Sequence, residues 1–241
     1  MPLLEQAGPH DLGEKISPAP TFSGAQTHAI LGPVAQTRQN AAFLLHGLVW
    51  ILVSAHFVSM PSPTKAELRR IMREQLAGMT PAACAAASES IRTSIASLPR
   101  WQAARTIAAY AALPGEPDLQ PLQWTDSKKV LLPRIEDDRL VFHAVQNADQ
   151  LKRGAFGVME PDPAQCPAVD TREMEIIFVP GLAFTSDGAR LGRGRGFYDR
   201  LLADLPKTVL RAGVCFPCQI SPELPAEPHD QEVDLVLTSS S

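Results

Sequence analysis

Residues 175–205 read EIIFVPGLAFTSDGARLGRGRGFYDRLLADL. Ile176 to Val179 is an apolar run that stops at Pro180-Gly181, the pattern of a buried strand ending in a loop. Gly188, Gly192, Gly194 and Gly196 follow, with Arg190, Arg193 and Arg195 interleaved. Phe197, Leu201, Leu202 and Leu205 then fall at helical spacing, so the order is strand, glycine-rich basic loop, helix. That order suits an anion. Glycines let the backbone approach a phosphate, and the N–H groups of a helix start add to the guanidinium charges. The plainer reading is a glycine turn with solvated arginines. Against it, three arginines at alternating positions repel one another unless something anionic sits among them.

The familiar nucleotide loops do not match. No Lys-Ser or Lys-Thr follows the glycines, and no G-x-G-x-x-G follows the first strand. The stretch instead resembles the signature of the 5-formyltetrahydrofolate cyclo-ligase family, roughly P-G-x-x-F-D-x-x-G-x-R-L-G-x-G-x-G-Y-Y-D. Pro180, Gly181, Phe184, Gly188, Arg190, Leu191, Gly192, Gly194, Gly196, Tyr198 and Asp199 match it. Two positions depart: Thr185 stands where Asp is usual, and Phe197 keeps the ring of the first Tyr without its hydroxyl.

Outward from this motif, the composition bounds the partners. With 241 residues and 45% hydrophobic content the chain can bury one full core. The net charge of -4 makes the arginine cluster a local feature of an acidic protein, which favours a small anion over a nucleic acid. Cys84, Cys166, Cys215 and Cys218 form no disulfide framework, and a reducing, cytoplasmic setting fits. Cys215-Phe-Pro-Cys218 has the spacing of a redox pair or half a zinc site. It ends an apolar run rather than starting a helix, and no second ligand pair accompanies it.

Residues 1–59 form an N-terminal extension. As far as Asn40 they are rich in Pro, Gly, Ala, Gln and Thr and read as disordered. Residues 41–59, AAFLLHGLVWILVSAHFVS, carry no Asp, Glu, Lys or Arg. Three readings stay open: a membrane anchor, an apolar segment covering the domain, or sequence upstream of a true start at Met60. Only the first would bring a membrane partner.

Residues 60–241 read as one domain. Thr64-Lys-Ala-Glu67 is a capping box, and Leu68, Ile71, Met72 and Leu76 mark one face of a helix whose other surface carries Lys65, Arg69, Arg70 and Arg73. Thr80-Pro81 starts a second, alanine-rich helix running to about Leu98. Strands are expected at 106–112, 128–132, 140–145, 208–216 and 233–237, with 151–166 irregular. His143, alternating with apolar neighbours, reads as structural. The loop 113–118 ends a strand, where ligands bind in open α/β sheets. Strands, helices and ligand loops thus alternate in α/β order.

The resemblance covers about Thr64 to Leu237 and implies a three-layer α/β/α domain with a mostly parallel sheet, of the sugar-phosphate isomerase and coenzyme A transferase type. The implied reaction converts 5-formyltetrahydrofolate and ATP to 5,10-methenyltetrahydrofolate, ADP and phosphate, through phosphorylation of the formyl oxygen and attack by N10. By this resemblance Lys65 and Arg69 reach the nucleotide, Arg69 also touching the folate, and Glu116 contacts the pterin, with Asp118 the weaker candidate. The loop Arg190, Leu191, Gly192, Arg193, Gly194, Arg195, Gly196, Phe197 and Tyr198 would hold ATP, with residues 193–197 also against the folate. Arg190, Arg193, Arg195 and Tyr198 are the expected catalytic groups. Asp199 and Asp230 would hold Mg2+. Gly157-Val-Met-Glu160-Pro161 resembles a segment whose backbone approaches the folate, and Gln219 occupies a position where Gln is usual. The expected partners are the small molecules 5-formyltetrahydrofolate and ATP, with a membrane only if residues 41–59 are an anchor; the oligomeric state stays open, a monomer being slightly favoured. Two other readings remain: a folate-binding protein without transfer, suggested by Thr185 and Phe197, and RNA binding by the Arg-Gly-Arg-Gly segment.

Overall fold

The computed structural model describes residues 63–124, 127–154 and 157–239, which lie in the second of two compact units, Pro61–Ser241. The expectations for residues 1–59 fall outside the described residues.

Helix α1, Lys65–Ala77, begins at the capping box: Glu67 N–H donates to Thr64 Oγ1 at 3.3 Å, and Thr64 N–H donates to Glu67 Oε2 at 2.8 Å. Two orphan donors of the first turn are thereby satisfied, and Leu68, Met72 and Leu76 are left to face the core. Helix α2, Pro81–Ser97, starts under the Thr80 hydroxyl, which accepts from Ala83 N–H at 3.2 Å. Helix α3, Pro99–Ala103, turns the chain around Trp101, whose ring lies 5.8 Å from that of Phe178.

The strands are β1 (Thr106–Ala108), β2 (Lys129–Glu136), β3 (Arg139–Val145), β6 (Ala168–Val169), β7 (Ile176–Pro180), β10 (Leu210–Val214) and β11 (Leu235–Leu237). Among the described residues they form one sheet in the order β11-β10-β7-β1-β2-β3-β6. From β11 to β2 all neighbours are parallel; β3 and β6 add an antiparallel edge. Parallel strands must be covered on both faces, and alternation in β7 shows how. Ile176 and Phe178 join the core under the first helices, whereas Ile177 and Val179 join a second core with Leu202 and Leu205. The three-layer α/β/α arrangement follows. Leu202 belongs to helix α5, Phe197–Asp204; a short helix α4, Gln120–Gln123, precedes β2.

Two small hairpins complete the fold. β4 (Leu151–Arg153) pairs with β5 (Met159–Pro161) in the segment expected to be irregular, and β8 (Ala183–Phe184) pairs with β9 (Arg190–Leu191) inside the glycine-rich motif. Neither is long enough to show an alternating pattern. β1 is shorter than its apolar run because Tyr110 and Ala111 leave the ladder to line a cavity. No helix among the described residues is long and apolar enough to cross a membrane.

Candidate active site

The glycines of the motif hold shapes that other residues resist. Gly188, Gly194 and Gly196 have φ of 109°, 106° and 66°. At Gly188 a Cβ would also lie 2.2 Å from the Val233 carbonyl oxygen, so the hairpin turn is locked against the segment leading to β11. Thr185 belongs to that turn: Ala189 N–H donates to its hydroxyl at 3.0 Å, and the hydroxyl donates to Asp187. Its departure from the family pattern therefore serves the loop.

Past the hairpin the chain runs alongside α1. Arg69 Nε donates to the Gly192 carbonyl at 3.0 Å, and the Arg69 side chain packs 3.5 Å from where a Gly194 Cβ would stand. Lys65, one turn earlier, donates to both oxygens of Asp230 at 2.7 and 2.6 Å and to Glu227 Oε2 at 2.6 Å. Burial acts to lower the ammonium pKa, but the two carboxylates outweigh it and hold it above its ordinary value. Asp230 and Glu227 are correspondingly held below theirs: burial opposes the shift at Asp230, and Lys65 drives it at both.

The three motif arginines do different things. Arg190 is buried, its Nη2 donating to Asp199 Oδ1 at 2.6 Å and its guanidinium lying 5.8 Å from the Tyr198 ring. Arg193 reaches the loop after β1, where Nε and Nη2 lie 2.9 and 2.7 Å from Glu116 Oε1. The second oxygen of Glu116 accepts from Leu113 N–H at 3.0 Å. Arg195 is exposed, and its carbonyl accepts from Arg200, whose guanidinium stands 5.4 Å from the Phe197 ring.

These groups surround one cavity of about 250 Å³, which Glu116, Arg190, Gly192, Arg193, Arg195, Gly196, Phe197, Tyr198 and Asp199 all line. Its opposite wall is apolar, made by Pro133, Ile135, Leu140 and Val158, with Glu160 among them. Tyr110 lines it too, and burial raises the hydroxyl pKa of both Tyr110 and Tyr198 above the usual value. A neighbouring cavity of about 1000 Å³ shares Tyr110, Glu116 and Arg193 with it, so together they offer room for an extended molecule. A cavity with one apolar wall, one cationic wall and stacking rings suits a flat ring system carrying or meeting an anion.

Expected residues are thus gathered from four stretches. Asp199 and Asp230 come near each other through Gln231, whose N–H donates to Asp199 Oδ1 at 3.4 Å. Asp118 lines the neighbouring, larger cavity rather than the first one, and its Oδ1 accepts from Gln120 N–H at 2.9 Å. Gln219 is buried and donates to Gly181 and Leu182 carbonyls at 2.8 and 3.1 Å, pinning the start of the motif. His143 is buried beside the Cys166 carbonyl. Sequence reasoning missed Glu227, one of three acids in a polar loop, and Tyr110. For Tyr110 a signal existed, since it is the one hydroxyl-bearing ring in an otherwise aliphatic run before a ligand loop.

Comparison with known proteins agrees with this geometry. Residues 61–239 match the model of the 5-formyltetrahydrofolate cyclo-ligase family. The chain is similar to a 5-formyltetrahydrofolate cyclo-ligase of Mycolicibacterium smegmatis, 32% identical over 187 residues, covering 74% of this chain and 95% of that one. It is 27% identical to the Escherichia coli K12 protein of the same name, covering 70% of this chain and 97% of the other. Among solved structures it resembles the 5,10-methenyltetrahydrofolate synthetase of Aquifex aeolicus, with a TM-score of 0.65 and 32% identity, covering 72% and 88% of the two chains. With the motif, the sheet order and the cavity pointing the same way, this chain belongs to the 5-formyltetrahydrofolate cyclo-ligase family.

Proposed function

We propose that the cavity binds 5-formyltetrahydrofolate beside ATP and closes the formyl carbon onto N10, giving 5,10-methenyltetrahydrofolate, ADP and phosphate. The observation that carries this reading is the meeting of α1 with the glycine-arginine loop, through Arg69 and Gly192, directly beside an apolar-walled cavity. A formamide oxygen is a poor leaving group. Phosphorylating it makes a good one, N10 attacks the activated carbon and gives up its proton, and phosphate departs as the positive charge spreads over the amidinium.

Phosphoryl transfer needs positioning and charge neutralisation more than covalent help from the protein. Arg193 and Arg195 supply cations at the cavity, Lys65 stands one helix turn from Arg69 behind the loop, and the amides around Gly192, Gly194 and Gly196 supply donors that need no side chain. Arg69 braces that loop from behind. Arg190, buried on Asp199 and stacked near Tyr198, sets the orientation of both. Phe197 and Tyr198 offer rings to the pteridine, and the wall at Ile135 and Leu140 excludes water from the activated carbon.

Asp199 and Asp230 suit a hard cation, since Mg2+ favours one or two carboxylates with phosphate oxygens and water. Each already carries a cationic partner, Arg190 or Lys65, which a bound cation would have to displace or share, and phosphate oxygens would complete its ligand set. Magnesium, when bound, screens the phosphates and eases departure of ADP. Free thiols at Cys84, Cys166, Cys215 and Cys218 accord with a cytoplasmic protein acting on small molecules.

The test is ATP-dependent formation of the methenyl product, followed by its absorbance with ADP release measured in parallel. Turnover with one ADP per product supports the reading. Tight folate binding with no ADP release overturns it in favour of a binding protein.

A further inference from the structure

Glu160 stands apart from the other acids of the cavity. It sits on β5 with its side chain 3% exposed, and it lines the cavity with Ile135, Leu140 and Val158. A buried carboxylate is costly unless close donors meet its oxygens. Glu116 satisfies that condition, with three N–H donors at 2.7 to 3.0 Å. Glu160 does not. Ile135 N–H is 3.4 Å from Oε1 and Arg134 Nη1 is 3.5 Å from Oε2, both beyond the usual range of about 2.7–3.2 Å. Arg134 is divided as well: the same Nη1 donates to the Pro161 carbonyl at 3.4 Å, and Nε lies 3.8 Å from Glu136.

The fold nevertheless keeps room for this carboxylate. A Cβ on Gly154, across the β4–β5 hairpin, would lie 2.1 Å from Glu160 Oε2, so the glycine is what lets the acid turn inward. Backbone space is given up to hold a buried charge that protein donors only loosely meet. Such a charge calls for donors from the cavity side.

We infer that Glu160 accepts hydrogen bonds from the substrate itself, from a ligand edge with two adjacent N–H donors such as the 2-amino and N3–H edge of a pteridine. A carboxylate pairs with that edge through two parallel bonds, which fixes the orientation of the ring as well as its affinity. The inference rests on the proposed function, which brings a tetrahydrofolate into the cavity. It makes Glu160 a specificity-determining residue, distinct from Glu116, whose oxygens are taken by Arg193 and Leu113.

The experiment uses the full chain and two ligands, 5-formyltetrahydrofolate and an analogue lacking the 2-amino group. Glu160→Gln is expected to raise KM for the natural substrate about tenfold to a hundredfold, the worth of one charge-assisted bond, with KM for ATP unmoved. The analogue should be penalised by a similar factor in the wild type and by little more in the variant, since the two changes remove one interaction. A merely structural role would lower kcat or thermal stability without erasing that discrimination. Should Glu160→Gln fail to fold, Glu160→Asp, which keeps the charge and withdraws it by one methylene, must show the same selective rise. An active wild type whose variants keep normal KM, or discriminate against the analogue as strongly as before, overturns the inference alone. A wild type that neither binds nor turns over the folate overturns the proposed function, and this inference with it.

Discussion

Arg193 and Glu116 are joined at the cavity, two guanidinium nitrogens converging on one carboxylate oxygen at 2.9 and 2.7 Å. The arginine is 37% exposed and the glutamate 5%, so the pair is half in water and half in protein. Such a pair holds the loop after β1 against the glycine loop, and it keeps a cation poised where an anion would arrive.

Arg193→Ala should therefore separate activity from stability. If Arg193 meets the developing charge, as proposed, its loss should cut turnover by about 10²–10³. Stability should fall by only about 1–2 kcal/mol, because half of the pair is solvated. Much of that cost is the stranded Glu116, so adding Glu116→Ala should restore the urea midpoint while leaving turnover low.

The Lys65 cluster predicts a pH window for stability. Asp230 and Glu227 have folded pKa values below their ordinary 3.8 and 4.5, so their contribution is present above those values and is lost as pH falls through the lowered folded ones. Lys65 is raised above 10.5, so its contribution is full below that value and is lost as pH rises through the raised one. Lys65→Met should be less stable than wild type across neutral pH. The gap in urea midpoint should close in acid, and a result independent of pH would show the cluster to be energetically idle.

Gly188→Ala collides with backbone, not with a movable side chain. With φ at 109° and the Val233 oxygen 2.2 Å from the new Cβ, it should cost about 3 kcal/mol or more, measured by denaturant unfolding. Gly157, at φ 77° with open space beyond, should cost less, by the strain of its conformation alone.

The Cys215 thiol is buried, which pushes its pKa up to about 12, and Cys218 at the surface is also raised by partial burial. Neither shift favours a reactive thiolate. Iodoacetamide at pH 8 should modify Cys218 slowly and Cys215 only after unfolding, as read by mass spectrometry. A disulfide between them under mild oxidation would contradict this.

Much of the fold was legible because its signals are long. The capping box of α1, the Thr80-Pro81 start of α2 and the apolar run of β7 each combine several residues that agree. The hairpins β4–β5 and β8–β9 were not legible, since strands of two or three residues carry no period. At the site, the motif identified which residues gather but not which way they face. Arg190, Arg193 and Arg195 look alike in sequence, yet one is buried on Asp199, one bridges to Glu116 and one is exposed. That sorting depends on the alternation of β9 and on the positive φ of Gly194, which only the folded backbone sets. Glu160 is a similar case, because its loose bonding is a matter of distances between two separate strands, β2 and β5.

Lys65 and Asp230 are 165 residues apart in the chain, and nearly the whole domain lies between them. A growing polypeptide makes Lys65 first and must wait for its partners until synthesis is almost complete. Closing so large a loop is entropically costly, so the contact between α1 and the loop before β11 is made only once the segments between them are in place. Chains that end before residue 230 should thus lack this clamp altogether, and α1 is tied down only when the last strand is in place.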